Sequence, residues 1–188
     1  TDGTYIYTSA ADTFGSTVCI YKAEGKETKK LTELTVDSMN ISEMYIKDHF
    51  LVLVGSDWEK QPAKEKLSGA YTEQNIQPEN TLVLVYDIVD IKKPKQTFRK
   101  TQSGTYSSSR INGNYLYTFS VMYAVSADKK DKRECYIPSV GGSLVPEDRL
   151  CIPSDVTSSA YIVLTSLDIM GGDDFSDTLS ILGGDGIC

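Results

Sequence analysis

Along most of this chain apolar and polar residues alternate in short runs punctuated by Gly, Asn, Asp, Ser and Pro, the period-2 pattern of half-buried strands. The clearest case is Ser109-Arg110-Ile111-Asn112-Gly113-Asn114-Tyr115-Leu116-Tyr117-Thr118-Phe119-Ser120. It reads as a strand, a tight turn and a second strand of alternating aromatic and aliphatic residues. Asn-Gly between such runs predicts a two-residue type I′ hairpin, which needs positive φ at both central positions. The same pattern stands at residues 1–8 and 46–53. Helical periodicity is confined to a short stretch near residues 59–66.

The hairpins invite alignment as a repeat. Asp2, Lys47 and Asn112 fall at one position, 45 and then 65 residues apart. After each hairpin comes a second strand, at residues 17–23, 82–88 and 164–169, in which Lys22, Asp87 and Asp168 share a register. Third strands are expected at 30–36, 95–100 and 178–182, and fourth strands leading into the next hairpin at 41–46 and 106–111. The unequal periods are reconciled by one variable connection between first and second strands, at 9–16, 56–81 and 121–160. Lengthening one connection leaves a sheet intact, because loop-closure cost grows only logarithmically.

Four short strands at a basic period near 45 match propeller blades, whose repeats run to roughly 40–50 residues. The fold expected is all-β, a partial β-propeller of about three four-stranded antiparallel blades at 1–46, 47–111 and 112–188, the last incomplete. Long insertions separate the first and second strands of blades two and three. A sandwich would use similar strands, but four matched strands recurring in one order favour the propeller.

Particular segments carry a family likeness. They are Asn40-Ile41-Ser42-Glu43-Met44-Tyr45, Val85-Tyr86-Asp87-Ile88, residues 107–117, Tyr136-Ile137-Pro138-Ser139-Val140, Thr165-Ser166-Leu167-Asp168-Ile169 and Ile181-Leu182-Gly183-Gly184. In order and spacing the chain resembles a bacterial family of secreted β-propeller proteins, distantly related to WD-repeat proteins. The resemblance implies an extracytoplasmic all-β protein and brings no catalytic residues. Members of that family are longer and close a full ring, so this chain reads as a fragment. Its opening on a strand-like motif and its stop at Cys188 give the same expectation. Three blades fall short of the 4–8 that typically close a ring. Apolar outer blade faces would then drive self-association.

Composition narrows the partners. A net charge of −7 over 188 residues argues against nucleic acid. No apolar run approaches the roughly 20 residues of a membrane span. A protein or a cell-wall glycan remains as the expected partner.

Candidate chemistry is sparse. The connection 121–160 is long enough to be functional, and Tyr136 and Pro138 within it are candidate ligand contacts, or parts of a brace between blades. Cys135 and Cys151 bracket it 16 residues apart, and a bridge between them would close the loop in an oxidising compartment. Trp58 and Tyr71, in the second insertion, are a candidate sugar-stacking pair. Asp173, Asp174 and Asp177 in a glycine-rich turn are a weak calcium candidate, without the register of an EF-hand loop. No other cofactor is expected. His49, the single histidine, reads as a surface turn residue, and no nucleophile motif accompanies it. Glu43, Glu147, Asp148 and Asp155 lack any spacing that marks a glycosidase pair. The reading is a non-catalytic extracellular or cell-surface binding or scaffold module. Its alternative is a surface glycan or peptide hydrolase with part of its active site in absent blades.

Overall fold

The computed structural model describes residues 3–11, 15–57, 80–124, 133–156, 158–171 and 173–183. The expected helix near 59–66, together with Trp58 and Tyr71, lies outside them.

Three separate sheets follow one another along the chain. β1 (Tyr5–Ala11), β2 (Gly15–Glu24) and β3 (Glu27–Asp37) make the first. β4 (Met39–Lys47), β5 (Phe50–Asp57), β6 (Asn80–Asp87) and β7 (Lys95–Ser103) form an antiparallel meander, the second. β8 (Thr105–Asn112) and β9 (Tyr115–Tyr123) open the third. Between β9 and the rest of that sheet lie β10 (Ser139–Val140), β11 (Ser143–Leu144) and β12 (Leu150–Cys151). β13 (Ala160–Asp168) and β14 (Asp177–Leu182) complete it. The sheets form an all-β partial propeller that is not closed.

Pairing registers establish the repeat. Tyr5 faces Lys22, Phe50 faces Asp87 and Tyr115 faces Asp168, so the second strands align as the sequence predicts. Even the irregularities recur: β4 bulges between Ile41 and Glu43 and β8 between Tyr106 and Ser108. β2 and β6 shift register at Ile20/Tyr21 and Val85/Tyr86. A bulge at a matched place gives the two sheets that share it a similar local twist.

Two expectations need correction. β4 and β8 do not close the preceding blades; they pair with β5 and β9 and lead the second and third sheets. The sheets therefore begin one strand earlier than boundaries at 47 and 112 imply. The cause is the crossover: a single residue between β3 and β4, and again between β7 and β8, carries the chain to a new sheet, and the two-residue turns then pair Lys47 with Phe50 and Asn112 with Tyr115. The turn centres are Asp48-His49 and Gly113-Asn114, and in each only the first residue has positive φ, at 52° and 61°. That is the requirement of a II′ turn, in place of the I′ turn that Asn112-Gly113 suggests.

The sheets stack head to tail. The forward face of the first sheet (Tyr7, Val18, Ile20) packs on the backward face of the second (Leu51, Leu53, Leu82, Leu84). The forward face of the second (Val52, Val54, Val83, Val85) packs with Leu116 and Leu167 of the third. The central sheet is covered on both sides, so β5 and β6 are buried at every position except their ends.

A single residue carries the chain from each sheet to the next, Ser38 and then Gly104, both with positive φ. Hydroxyls at equivalent positions secure both crossovers. Ser16 Oγ donates to the Met39 carbonyl at 2.8 Å, and Thr81, its equivalent, donates through Oγ1 to the Gly104 carbonyl at 2.8 Å. Across the seam between the second and third sheets, buried Gln102 donates from Nε2 to Ser120 Oγ at 2.9 Å and to the Val163 carbonyl at 3.1 Å. Its Oε1 accepts from the Thr165 hydroxyl.

Three substitutions test this structure. Gly104→Ala places a methyl 2.5 Å from the Val121 carbonyl carbon at a φ of +98°, and loses about 2–3 kcal/mol in urea unfolding. Gly113→Ala meets nothing within 4 Å and loses about 1 kcal/mol for its positive φ alone. Gln102→Ala leaves the buried Thr165 hydroxyl without its acceptor and takes a donor from Ser120 Oγ and the Val163 carbonyl, and costs about 2 kcal/mol, read as a lower urea midpoint with unchanged slope.

Candidate functional site

The insertion between β9 and β13 builds a clasp over the edges of two sheets. Val140 of β10 pairs with Gln102 of β7, and Gly141 N donates to the Thr101 carbonyl at 2.8 Å. Ser139 N donates to Ser103 Oγ at 2.8 Å, fixing the start of β10 on the second sheet. Further on, Leu150 and Cys151 of β12 run parallel to Ser180 and Ile181 of β14, extending the third sheet. A short hairpin and a strand fragment from one loop thus stitch the second and third sheets together.

Within the clasp, single 3-10 turns form at Arg133–Cys135 and Glu147–Arg149. The Arg133 carbonyl accepts from Tyr136 N at 3.1 Å and from Ile137 N at 2.8 Å, which holds the backbone at Tyr136. Pro138 is buried, and its carbonyl accepts from Val145 N at 2.8 Å; it shapes the loop from inside. Tyr136 is half-buried, in the turn that follows Cys135. Charge pairs add to the seam at the surface: Lys100 Nζ lies 3.3 Å from Asp174 Oδ2, and Arg149 Nη1 3.2 Å from Asp177 Oδ1. Exposed pairs of this kind contribute at most about 1 kcal/mol, so backbone pairing does the fastening.

Cys135 and Cys151 stand as free thiols, and the expected bridge is not formed. Cys135 ends a 3-10 turn while Cys151 is drawn into β12 by its pairing with β14. The ladder holds the loop where a disulfide was expected to. Cys19 is also a free thiol.

Two of the three carboxylates of the acidic turn are held by the protein itself, and Asp173 is exposed. Asp174 and Asp177 each pair with a cation and each also accept a backbone N–H, from Phe175 and Thr178 at 2.8 Å. Among the described residues no group of three or more His, Cys, Asp or Glu is placed to hold a metal ion. Glu43 lies at the β4 bulge, Glu147 and Asp148 in a clasp turn and Asp155 beyond β12, all exposed. His49 occupies the β4–β5 turn with its ring 4.2 Å from that of Phe50, and its carbonyl accepts from Ile88 N.

A second polar group lies between β4 and β8. Tyr45 Oη donates to the Ser109 carbonyl at 2.9 Å, and Tyr106 Oη lies 2.9 Å from Ser109 Oγ. Burial pushes the Tyr106 phenol above its ordinary pKa, partly offset by the Ser109 hydrogen bond. The group seals the seam between sheets.

Sequence reasoning missed the anchors of the clasp: Gln102, Ser103, Ser139 and Arg149. Ser139 stood inside a motif noted for its family likeness, and the others carry no local signal because their partners are remote in sequence.

No helix among the described residues is long and apolar enough to cross a membrane. No curated protein matches the chain, and no solved structure does. A family model described as a beta propeller domain matches residues 1–187. With three matched wedges in register and a match over nearly its whole length, the chain belongs to the beta propeller domain family.

Proposed function

We propose that this chain is an extracellular or cell-surface binding and scaffold module of a bacterium, and that the clasp presents Tyr136 to a cell-wall glycan. Membership of the beta propeller domain family supports a binding or scaffold module in general, and a protein ligand is the other partner such a surface fits. The observation that supports the reading is the double anchorage of the clasp, by β10 on β7 and by β12 on β14. A loop held at both ends loses little conformational freedom on binding, which favours recognition over mere tethering. Tyrosine suits such a surface, because its aromatic face can stack on a sugar ring. The acidic charge of the chain, −7, is consistent with a partner other than nucleic acid. Self-association through the open faces of the first and third sheets belongs to the same reading.

The test is co-sedimentation with purified peptidoglycan sacculi. The chain is expected to pellet with them, and Tyr136→Ala to weaken retention roughly tenfold with an unchanged circular dichroism spectrum. Equal retention of the variant, or no retention of either protein, overturns the glycan reading. Release of soluble sugar from the sacculi overturns the non-catalytic one.

A further inference from the structure

Two buried hydroxyls among the described residues have no hydrogen-bond partner, Thr118 Oγ1 and Ser180 Oγ. Thr118 is 1% exposed and Ser180 fully buried, so neither reaches bulk solvent. A hydroxyl taken out of water and left unpaired loses its bonds with nothing in return. The surroundings of the two differ. Ser180 stands in the ladders between Val163 and Leu150. Thr118 stands between Ser109 and Thr165, with fully buried Ser120 next along the same face of β9.

The protons around Thr118 are already given. Tyr45 Oη donates to the Ser109 carbonyl, so the 2.9 Å contact between Tyr45 Oη and Ser109 Oγ is donated by Ser109. Tyr106 Oη must then donate to Ser109 Oγ, at 2.9 Å. On the other side the Thr165 hydroxyl donates to Gln102 Oε1, and Ser120 Oγ to the Ser103 carbonyl at 2.6 Å. What the two ladder neighbours keep is lone pairs, on Ser109 Oγ and on Thr165 Oγ1. Thr118 has a proton to give, two acceptors beside it and a bond to neither. The row is also built of small residues. Its counterpart in the second sheet is Met44, Leu53 and Leu84, where this one has Ser109, Thr118 and Thr165. On the facing sheets, Val52 and Val85 line this seam where Tyr7 and Ile20 line the first.

We propose that the seam between the second and third sheets binds one internal water at Thr118, which accepts the Thr118 proton and donates its own two to Ser109 Oγ and Thr165 Oγ1. About three bonds is the ordinary complement of a buried water. The chemistry of the row selects against ions. An anion has no proton for the two acceptors; an ammonium ion has no lone pair for Thr118 and would carry a charge into the core. The water joins the tyrosine group at β4 and β8 to the Gln102 group, so that one continuous hydrogen-bonded layer runs through the seam. Ser180, with apolar ladder partners, lacks the two or more polar neighbours that a water needs and keeps its hydroxyl unpaired.

Crystallography and urea unfolding test it. A high-resolution crystal structure of the chain is expected to show one solvent peak about 2.7–3.0 Å from all three hydroxyl oxygens, and density without that peak overturns the proposal. Thr118→Val keeps the shape of the side chain and removes the hydroxyl. It is expected to lower the urea midpoint by roughly 0.5 M with unchanged slope, because the water loses its donor. Ser180→Ala removes a hydroxyl that is bonded to nothing and is expected to raise the midpoint. Opposite signs at the two sites are the signature of the water. Two increases overturn the proposal, since Thr118 is then as unpaired as Ser180. Two decreases overturn it as well, since deleting any hydroxyl from this sheet is then costly whatever surrounds it.

Discussion

Burial of the second sheet on both faces is the constraint from which the rest of the architecture descends. β5 and β6 give every interior side chain to one seam or the other, Leu51, Leu53, Leu82 and Leu84 backward and Val52, Val54, Val83 and Val85 forward. Packed sheets stand about 10 Å apart, so each seam must be filled by side chains of matched volume from two strands at once. Leucine is used toward the first sheet, where it meets Tyr7, Val18 and Ile20. Valine is used toward the third, where Phe50, Phe98 and Ile169 supply the bulk.

The crossovers are the second constraint. With a single residue between β3 and β4, and again between β7 and β8, the chain must reverse and change layer at once. This requires positive φ, found at Ser38 and Gly104, and brings backbone close to backbone. The crossing would leave carbonyls without partners, and the hydroxyls of Ser16 and Thr81 supply them. Polar groups in the seams thus satisfy the backbone where the ladder cannot. Gln102 does the same between the second and third sheets, where its amide meets both a hydroxyl and a carbonyl of the neighbouring sheet.

Much of this was legible because the repeat writes itself as period-2 alternation. The shared register of Lys22, Asp87 and Asp168 could be read directly, since strand pattern and turn chemistry are local. Sheet membership of β4 and β8 could not be read from strand order alone. It depends on which neighbour a strand pairs with, and the single-residue crossovers at Ser38 and Gly104 decide it. The uninterrupted apolar runs at 50–54 and 82–86 were a signal of two-sided burial that alternation elsewhere obscured. The clasp was legible only as a long ordered loop. Its fastening rests on Val140 with Gln102 and Leu150 with Ser180, pairings between segments whose own sequences announce nothing.

The clasp divides the molecule mechanically as well as chemically. Strands from one loop ride on the margins of the second and third sheets, so those two cannot shear apart without breaking ladder bonds on both. The first sheet has no such strap among the described residues; its ties are the Ser38 crossover, the shared apolar seam and the Thr32 hydroxyl bond to the Ile91 carbonyl. Ladder bonds thus fasten the second sheet to the third, while side-chain packing and side-chain hydrogen bonds fasten the first to the second.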